Sequence, residues 1–212
     1  MSAVTTHTWS SFVPSVTRTD WQEEIRQLTV RAEARRFLAD YDTGSILPEE
    51  AYQLRALAES LKTEVVIEVG TFVGLSTTAL ASASRVTAVY TCDASNDCLQ
   101  ATLLIRTHAK QSSTEMLVAL LLQQVKADLF FFDGTLTQAD APYVRRLSHG
   151  RTVYAFHDYN HGPKQRLKHG RLSWDIVPRK GIGNVRLLHP SLPSHELVEP
   201  LDGTTLALLV PK

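Results

Sequence analysis

Acidic residues follow the predicted strands of this sequence at the points where the strands end. In an open parallel sheet, ligands bind beyond these carboxyl ends. A purely structural sheet does not need such a pattern, because unpaired carboxylates near buried strand ends are costly. The carboxylates and the neighbouring histidine could accept hydrogen bonds from a ribose, face a cation or take up a proton. The residues concerned are Glu68, Asp93, Asp133 and the pair His157–Asp158.

Two glycines lie in the segment after the first of these strands. Gly70 allows a tight turn, and Gly74 allows a helix N-terminus to approach the strand and a ligand closely. A diphosphate-binding loop has the pattern G-x-G-x-x-G, whereas this loop has two glycines separated by three residues. Glu68 would also repel a diphosphate. The loop therefore favours a positively charged ligand over a nicotinamide dinucleotide.

Asp93 lies 23 residues after Gly70, where an acid at the end of the second strand can accept two hydrogen bonds from a ribose. Each of these polar residues also has a structural interpretation. Asp93 could cap the following helix, and Glu68 could cap a helix or pair with Lys62. Asp133 and Asp158 could belong to turns, and His157 could be a hydrogen-bonded structural residue.

Helical and strand patterns alternate through most of the chain. This order implies crossover connections, and hence an α/β, Rossmann-like, doubly wound and mostly parallel sheet with helices on both faces. Lys180–Asn184 could begin a further helix. The predicted helices are 20–39, 48–61, 75–84, 96–103, 114–125 and 138–147. The predicted strands are 65–67, 86–92, 104–109, 128–132, 152–156, 185–188 and 205–210.

The composition is that of a globular protein of one main domain. The 212 residues have 43% apolar side chains, and 22 basic residues balance 22 acidic ones. Zero net charge argues against binding of nucleic acid over the whole surface. We expect residues 1–19 to form a loose arm. We place an N-terminal arm and helix, a lid or dimer contact, at 1–45, and the ligand-binding domain at 46–212.

The location predicted from the sequence is the cytoplasm. Residues 1–15 lack the basic start and apolar core of a signal peptide. The longest apolar run, Met116–Leu122, is far shorter than the ~20 residues that span a bilayer. Cys92 and Cys98 are too few for a disulfide framework, which is consistent with packed thiols in a reducing compartment.

These segments, taken in order, resemble class I S-adenosylmethionine (SAM)-dependent methyltransferases. Glu68-Val69-Gly70-Thr71, with Gly74 and Ser76, is similar to the first motif of that family, and Asp93 matches its ribose-binding acid. The resemblance covers roughly 48–160 and is greatest to the small-molecule O-methyltransferase branch. The other matching segments are 111–117, 128–134 and 156–159.

The resemblance implies SAM as cofactor and assigns residues to it. Asp133 and Asp158 would be ligands if Mg²⁺ is used, although Leu136 and His157 depart from the metal-binding pattern. The residues expected at the reacting centre are Asp133, His157 and Asp158; without a metal, His157 would be the base. The expected cofactor contacts are Glu68, Gly70, Thr71, Phe72, Gly74, Ser76, Asp93, Ala94, Ser112, Ser113 and Asp133. Ser112 and Ser113 could instead cap the helix that follows.

A basic segment, 161–180, follows the fifth strand. It could clamp an anionic acceptor, or it could be a solvated loop. The expected acceptor contacts are Tyr159, Asn160, His161 and Lys180.

The resemblance predicts methyl transfer to a hydroxyl of a small polar molecule. Two alternatives remain: a hydroxylase-like tailoring enzyme on the same cofactor fold, and a module that binds RNA or another polyanion through 161–180. Neutral charge and few aromatic residues near that segment disfavour nucleic acid. A homodimer is compatible with the sequence, and no membrane partner is expected.

Overall fold

A computed structural model of the chain describes residues 7–12, 46, 48–72, 74–94, 102–159, 180–201 and 204–212. Its centre is a seven-stranded sheet with the order β3-β2-β1-β4-β5-β7-β6. The first five strands in this order are parallel, whereas β7 is antiparallel to both β5 and β6. The strands are β1 Val65–Val69, β2 Ala88–Asp93, β3 Ile105–Ala109, β4 Ala127–Phe132, β5 Ser148–Phe156, β6 His195–Val198 and β7 Ala207–Pro211. This architecture confirms the predicted Rossmann-like α/β class.

Five α-helices lie in the described part of the chain. They are α1 Pro48–Leu61, α2 Leu75–Ala81, α3 Ser113–Leu122, α4 Ala141–Leu147 and α5 Lys180–Leu188. The first four confirm predicted helices, with ends that differ by a few residues. The predicted helix at 20–39 and nearly all of the one at 96–103 lie outside the described residues. None of the described helices combines the length and the apolar character needed to cross a bilayer.

Two predictions near the ends of the chain were wrong, and one strand was not predicted. Residues 185–188 belong to α5 and not to a strand, because Ile182, Val185 and Leu188 recur every three residues and are buried on one helix face. Strand β6 was not predicted from the sequence. Within the expected loose arm, residues 9–11 form a 3₁₀ turn, and the buried Trp9 indole donates to the Leu206 carbonyl at 3.1 Å.

The core has two layers, one on each face of the sheet. Alternate strand residues face opposite layers, as Val66 and Ile67 do in β1. Helices α1 and α2 cover the first face, while α3, α4 and α5 cover the second. Cys92 is buried in the second layer, and burial raises the pKa of its thiol to about 12, so it is an inert packing residue.

The strand register brings the predicted acids to one edge of the sheet. Glu68 of β1 is paired with Thr91 of β2 on one side and with Phe131 of β4 on the other. Phe132 of β4 is paired with Phe156 of β5, so Asp133 and His157, which follow them, are neighbours. The long-range pairing therefore assembles one site from separate segments.

Candidate functional site

The loop after β1 is shaped by close backbone contact with β4. Gly70 has φ +99°, and a Cβ at this position would lie 2.6 Å from the backbone nitrogen of Gly134. Only glycine fits both conditions. Phe72 also has a positive φ of 46°, and its N–H donates to Asp93 Oδ2 at 2.7 Å. The loop is thus held against β4 and the end of β2.

Glu68 is fully buried beneath this loop. Its Oε1 accepts from the Ser76 hydroxyl at 2.6 Å, and its Oε2 accepts from the hydroxyls of Thr77 and Thr91. Burial raises the pKa of Glu68 to about 7, with a further rise caused by the nearby charge of Asp133. The expectation that Glu68 contacts a ligand is corrected, because its carboxylate has no exposed surface and its hydrogen bonds join β1, β2 and α2.

The other predicted cofactor residues fall into two groups. The Thr71 and Thr91 hydroxyls lie 2.6 Å apart beneath the loop, and Ser76 is engaged by Glu68. Asp93 and the exposed Ala94 lie at the open end of β2. Gly74, with φ +83°, is the N-terminal cap of α2.

Ser112 and Ser113 have structural partners at the start of α3. Ser112 forms a capping box with Glu115, in which each side chain bonds the other residue's backbone N–H. The Ser113 hydroxyl donates to the buried Asp140 carboxylate at 3.0 Å. These contacts agree with the helix-capping interpretation of the pair.

At the ends of β4 and β5, a histidine lies between two carboxylates. His157 Nδ1 is 2.7 Å from Asp133 Oδ1, and its Nε2 is 3.1 Å from Glu50 Oε2. Glu50 and His157 are at most 4% exposed. Glu50 Oε1 accepts from both the backbone N–H and the hydroxyl of Thr205.

This arrangement decides the charge of the histidine. Burial alone would lower the pKa of His157. The adjacent carboxylates of Asp133 and Glu50 nevertheless hold this pKa well above its usual value. In return, His157 and Lys180 hold the pKa of the Asp133 carboxyl below its usual range, against the effect of burial. Both ring nitrogens of His157 therefore donate hydrogen bonds as an imidazolium. This hydrogen bonding and the raised pKa disfavour His157 as the base that was expected in the absence of a metal.

Glu50 was missed by the sequence analysis, although the sequence contains a signal for it. It lies in the first turn of α1, four residues before Leu54 and so on the same side as a buried apolar position. A carboxylate on the buried side of a helix requires a partner. The sequence does not show which partner, since His157 is 107 residues away.

Asp158 is held in a left-handed backbone conformation, with φ 58°. Its N–H donates to the Thr205 hydroxyl at 3.3 Å, and the next N–H, of Tyr159, donates to the Thr205 carbonyl. Left-handed non-glycine residues at a strand end persist only when their surroundings enforce them. Asp158 Oδ2 is buried without a hydrogen bond, and it lies 3.3 Å from Lys180 Nζ as an ion pair.

Of the four predicted acceptor residues, the structure describes Tyr159 and Lys180. The Tyr159 hydroxyl donates to Glu199 at 3.3 Å. Lys180, the first residue of α5, directs its ammonium to the Asp133 carbonyl at 2.6 Å and to Asp133 Oδ1 at 3.2 Å. The ammonium is thus bound to the strand-end acids, and the acceptor contact expected of Lys180 stays a prediction. Asn160 and His161 lie outside the described residues.

We compared the sequence and the structure with those of known proteins. No family model matches the sequence, and no curated protein matches it. Among solved structures, an SAH-bound methyltransferase from Podospora anserina is 14% identical, with a TM-score of 0.63 and full coverage of both chains. The O-methyltransferase of Bacillus cereus in complex with SAH is 16% identical, with a TM-score of 0.59 and 96% of each chain covered.

The chain has the class I methyltransferase fold. MycE, a methyltransferase from the mycinamycin biosynthetic pathway in complex with Mg, SAH and mycinamycin VI, shares this fold at 14% identity and a TM-score of 0.52. The match covers 88% of the present chain and 54% of MycE. At these identities the likeness establishes the fold, and the chemistry has to be argued from this chain's own residues.

A divalent metal is the group that the resemblance implies at Asp133 and Asp158. Together with His157, these residues offer one ligand atom each within 4.8 Å of one another. The detailed geometry does not fit a metal, however. One of these ligand atoms, His157 Nδ1, is hydrogen-bonded to Asp133 Oδ1 at 2.7 Å. The Lys180 ammonium also lies 3.2–3.3 Å from both acids, where it would repel a second cation.

Proposed function

We propose that this protein is a SAM-dependent methyltransferase that acts on a hydroxyl group of a small polar molecule. The observation that supports it most strongly is the arrangement at one edge of the sheet. A glycine loop pressed against β4 lies beside Asp93 at the end of β2, and two further acids follow β4 and β5. Solved structures of the same fold contain SAH.

The loop and Asp93 are the proposed cofactor site. SAM supplies an electrophilic methyl group attached to a sulfonium. Gly70 lets the loop backbone lie close to β4, where a Cβ would collide with Gly134, and the loop lies beyond the carboxyl end of β1, where ligands bind in such sheets. Asp93, which anchors the loop through the Phe72 N–H, would accept hydrogen bonds from the ribose.

The acids after β4 and β5 are the proposed reacting centre. Asp158 Oδ2 makes no hydrogen bond but pairs with the Lys180 ammonium at 3.3 Å, so an acceptor hydroxyl that displaced this ammonium would donate to Oδ2 and then transfer its proton. His157 does not compete for that proton, because both of its nitrogens are already protonated. Its role is to hold Asp133, and through Glu50 to tie the site to α1.

Calorimetric titration with SAH tests the cofactor assignment. We expect one-to-one binding in the micromolar range, and a loss on the order of tenfold or more for Asp93→Ala, because the ribose hydrogen bonds would be lost. Glu64→Ala removes an exposed acid at the opposite end of β1 and should bind SAH as the wild type does. Equal affinities of the Asp93 variant and the wild type would remove Asp93 from the site.

Product mass separates methyl transfer from the hydroxylase-like alternative. Incubation with SAM and a panel of small hydroxylated compounds should add one methylene unit, whereas hydroxylation would add one oxygen. Asp158→Asn should retain SAH binding and lose turnover, since an amide cannot take up the proton. The polyanion-binding alternative concerns segment 161–180, of which the structure describes only Lys180; that residue pairs with the acids Asp133 and Asp158.

A further inference from the structure

Acids and cations alternate at the ends of β4 and β5. Among the described residues, the carboxylates of Glu50, Asp133 and Asp158 surround the cations of His157 and Lys180. The three acids are each at most 9% exposed. Buried charges of this kind are stable only when they are paired, and both acids that would bind a divalent cation, Asp133 and Asp158, already pair with Lys180.

The Lys180 side chain is turned toward the sheet. Its ammonium lies within 3.3 Å of three oxygen atoms: the carbonyl and Oδ1 of Asp133, and Oδ2 of Asp158. The two carboxylates therefore stabilise the ammonium in this position.

The packing of α5 brings Lys180 to this place. Gly181 lies against the backbone of His157–Tyr159, and a Cβ there would lie 2.8 Å from the Tyr159 nitrogen. The absence of a side chain at 181 allows the helix start to approach the end of β5. As a result, the Lys180 ammonium lies between the acids that follow β4 and β5.

We propose that the Lys180 ammonium is the resident cation of this site, held by Asp133 and Asp158 in place of the divalent metal ion that the resemblance implies. The site then needs no metal to hold its two acids together. The inference does not depend on methyl transfer, because cation binding is measured directly.

Mn²⁺ is the probe for the test, with bound ion counted by electron paramagnetic resonance and affinity measured by calorimetry. The wild type should show no stoichiometric Mn²⁺ binding. Lys180→Ala should gain one site, with an affinity increase on the order of tenfold or more, because two acids lose their cation. Lys126→Ala, which removes an exposed lysine away from the site, should behave as the wild type does.

Further variants keep the test decisive. If Lys180→Ala fails to fold by circular dichroism, Lys180→Met retains the aliphatic stem and replaces it. The double variant Lys180→Ala/Asp133→Asn should lose the gained site. The proposal is overturned if the wild type binds one Mn²⁺ and Asp158→Asn abolishes that binding, or if the folded Lys180 variants gain no site.

A parallel SAH titration with and without EDTA distinguishes the two proposals. Absent SAH binding in both conditions would refute the proposed function while leaving the Mn²⁺ result to decide the cation. SAH binding that EDTA weakens in the wild type would count against Lys180 as the resident cation.

Discussion

The end of β1 and the ends of β4 and β5 lie at the same edge of one sheet, but they stabilise buried acids in opposite ways. Glu68 is buried and surrounded by three hydroxyl groups, and burial raises its pKa to about 7. Asp133, also buried, is paired with the cations of His157 and Lys180, and its pKa is lowered. Hydroxyl donors do not offset the desolvation of a carboxylate as cations do.

The difference separates a supporting acid from acids suited to chemistry. The hydrogen bonds of Glu68 join β1, β2 and α2 beneath a loop, and its charge is weakly favoured at neutral pH. Asp133 is paired with two cations, and one oxygen of Asp158 has no hydrogen bond. Carboxylates at one edge of the sheet are therefore stabilised in two different ways.

The largest expected effect is that of Asp133→Asn. This change removes a counter-charge from both the buried His157 and the half-buried Lys180 and leaves the two cations underpaired. We expect a loss of roughly 3–5 kcal/mol in the free energy of unfolding, measured by urea denaturation. Glu64→Gln, at an exposed position, should change stability by less than about 0.5 kcal/mol. Equal stability of the two variants would contradict the paired-charge description.

Glu68→Gln tests the hydroxyl-surrounded acid through pH. In the folded protein the pKa of Glu68 is about 7, above its ordinary value of 4.5. The stabilisation that the protonated Glu68 contributes to the folded state is therefore fully present below pH 4.5 and is lost as the pH rises through 7. The loss would be about 3 kcal/mol at most. Gln stays neutral, so the variant should lose less stability than the wild type between pH 4.5 and 8 in urea unfolding. Parallel pH profiles of the two proteins would be evidence against a raised pKa.

Gly181→Ala tests the close approach that brings Lys180 to the second group of acids. The new methyl group would collide with the backbone of His157–Tyr159, and we expect a loss of roughly 1–3 kcal/mol. Gly183→Ala is the matched control in the same helix, since a Cβ there has nothing within 4 Å. It should stabilise the protein by about 0.5–1 kcal/mol. Thermal melting of both variants measures the difference in stability between them. Equal melting temperatures of the two variants would contradict the close packing of α5 against the end of β5.

Glu50→Gln has the smallest expected effect and reports on His157 directly. Losing one of two carboxylates should lower the pKa of His157, which NMR titration of its ring measures. Stability from a raised histidine pKa is present below the unfolded value and is lost as the pH rises through the folded one. That loss should therefore begin at a lower pH in the variant. Glu49→Gln is the neighbouring control, and an unchanged pKa in Glu50→Gln would remove Glu50 from the network.

Much of the fold could be predicted from local patterns. Continuous β-branched and apolar runs indicated buried parallel strands, and helical periodicity placed α1 through α4. The predictions failed where local patterns conflict: the apolar run at 185–188 belongs to α5, and the half-exposed β6 has only four residues. Trp9 was missed because its partner, Leu206, is 197 residues away.

The sequence by itself determined that acids follow the strands, that Gly70 and Gly74 shape a turn, and that the sheet is mostly parallel. These features depend on neighbouring residues and on residue type alone. Only the tertiary structure decided that Glu68 faces inward, that Glu50 reaches His157, and that Lys180 lies between Asp133 and Asp158. Protonation states and ion pairs depend on burial and on distances between remote segments, which exist only once the chain has folded.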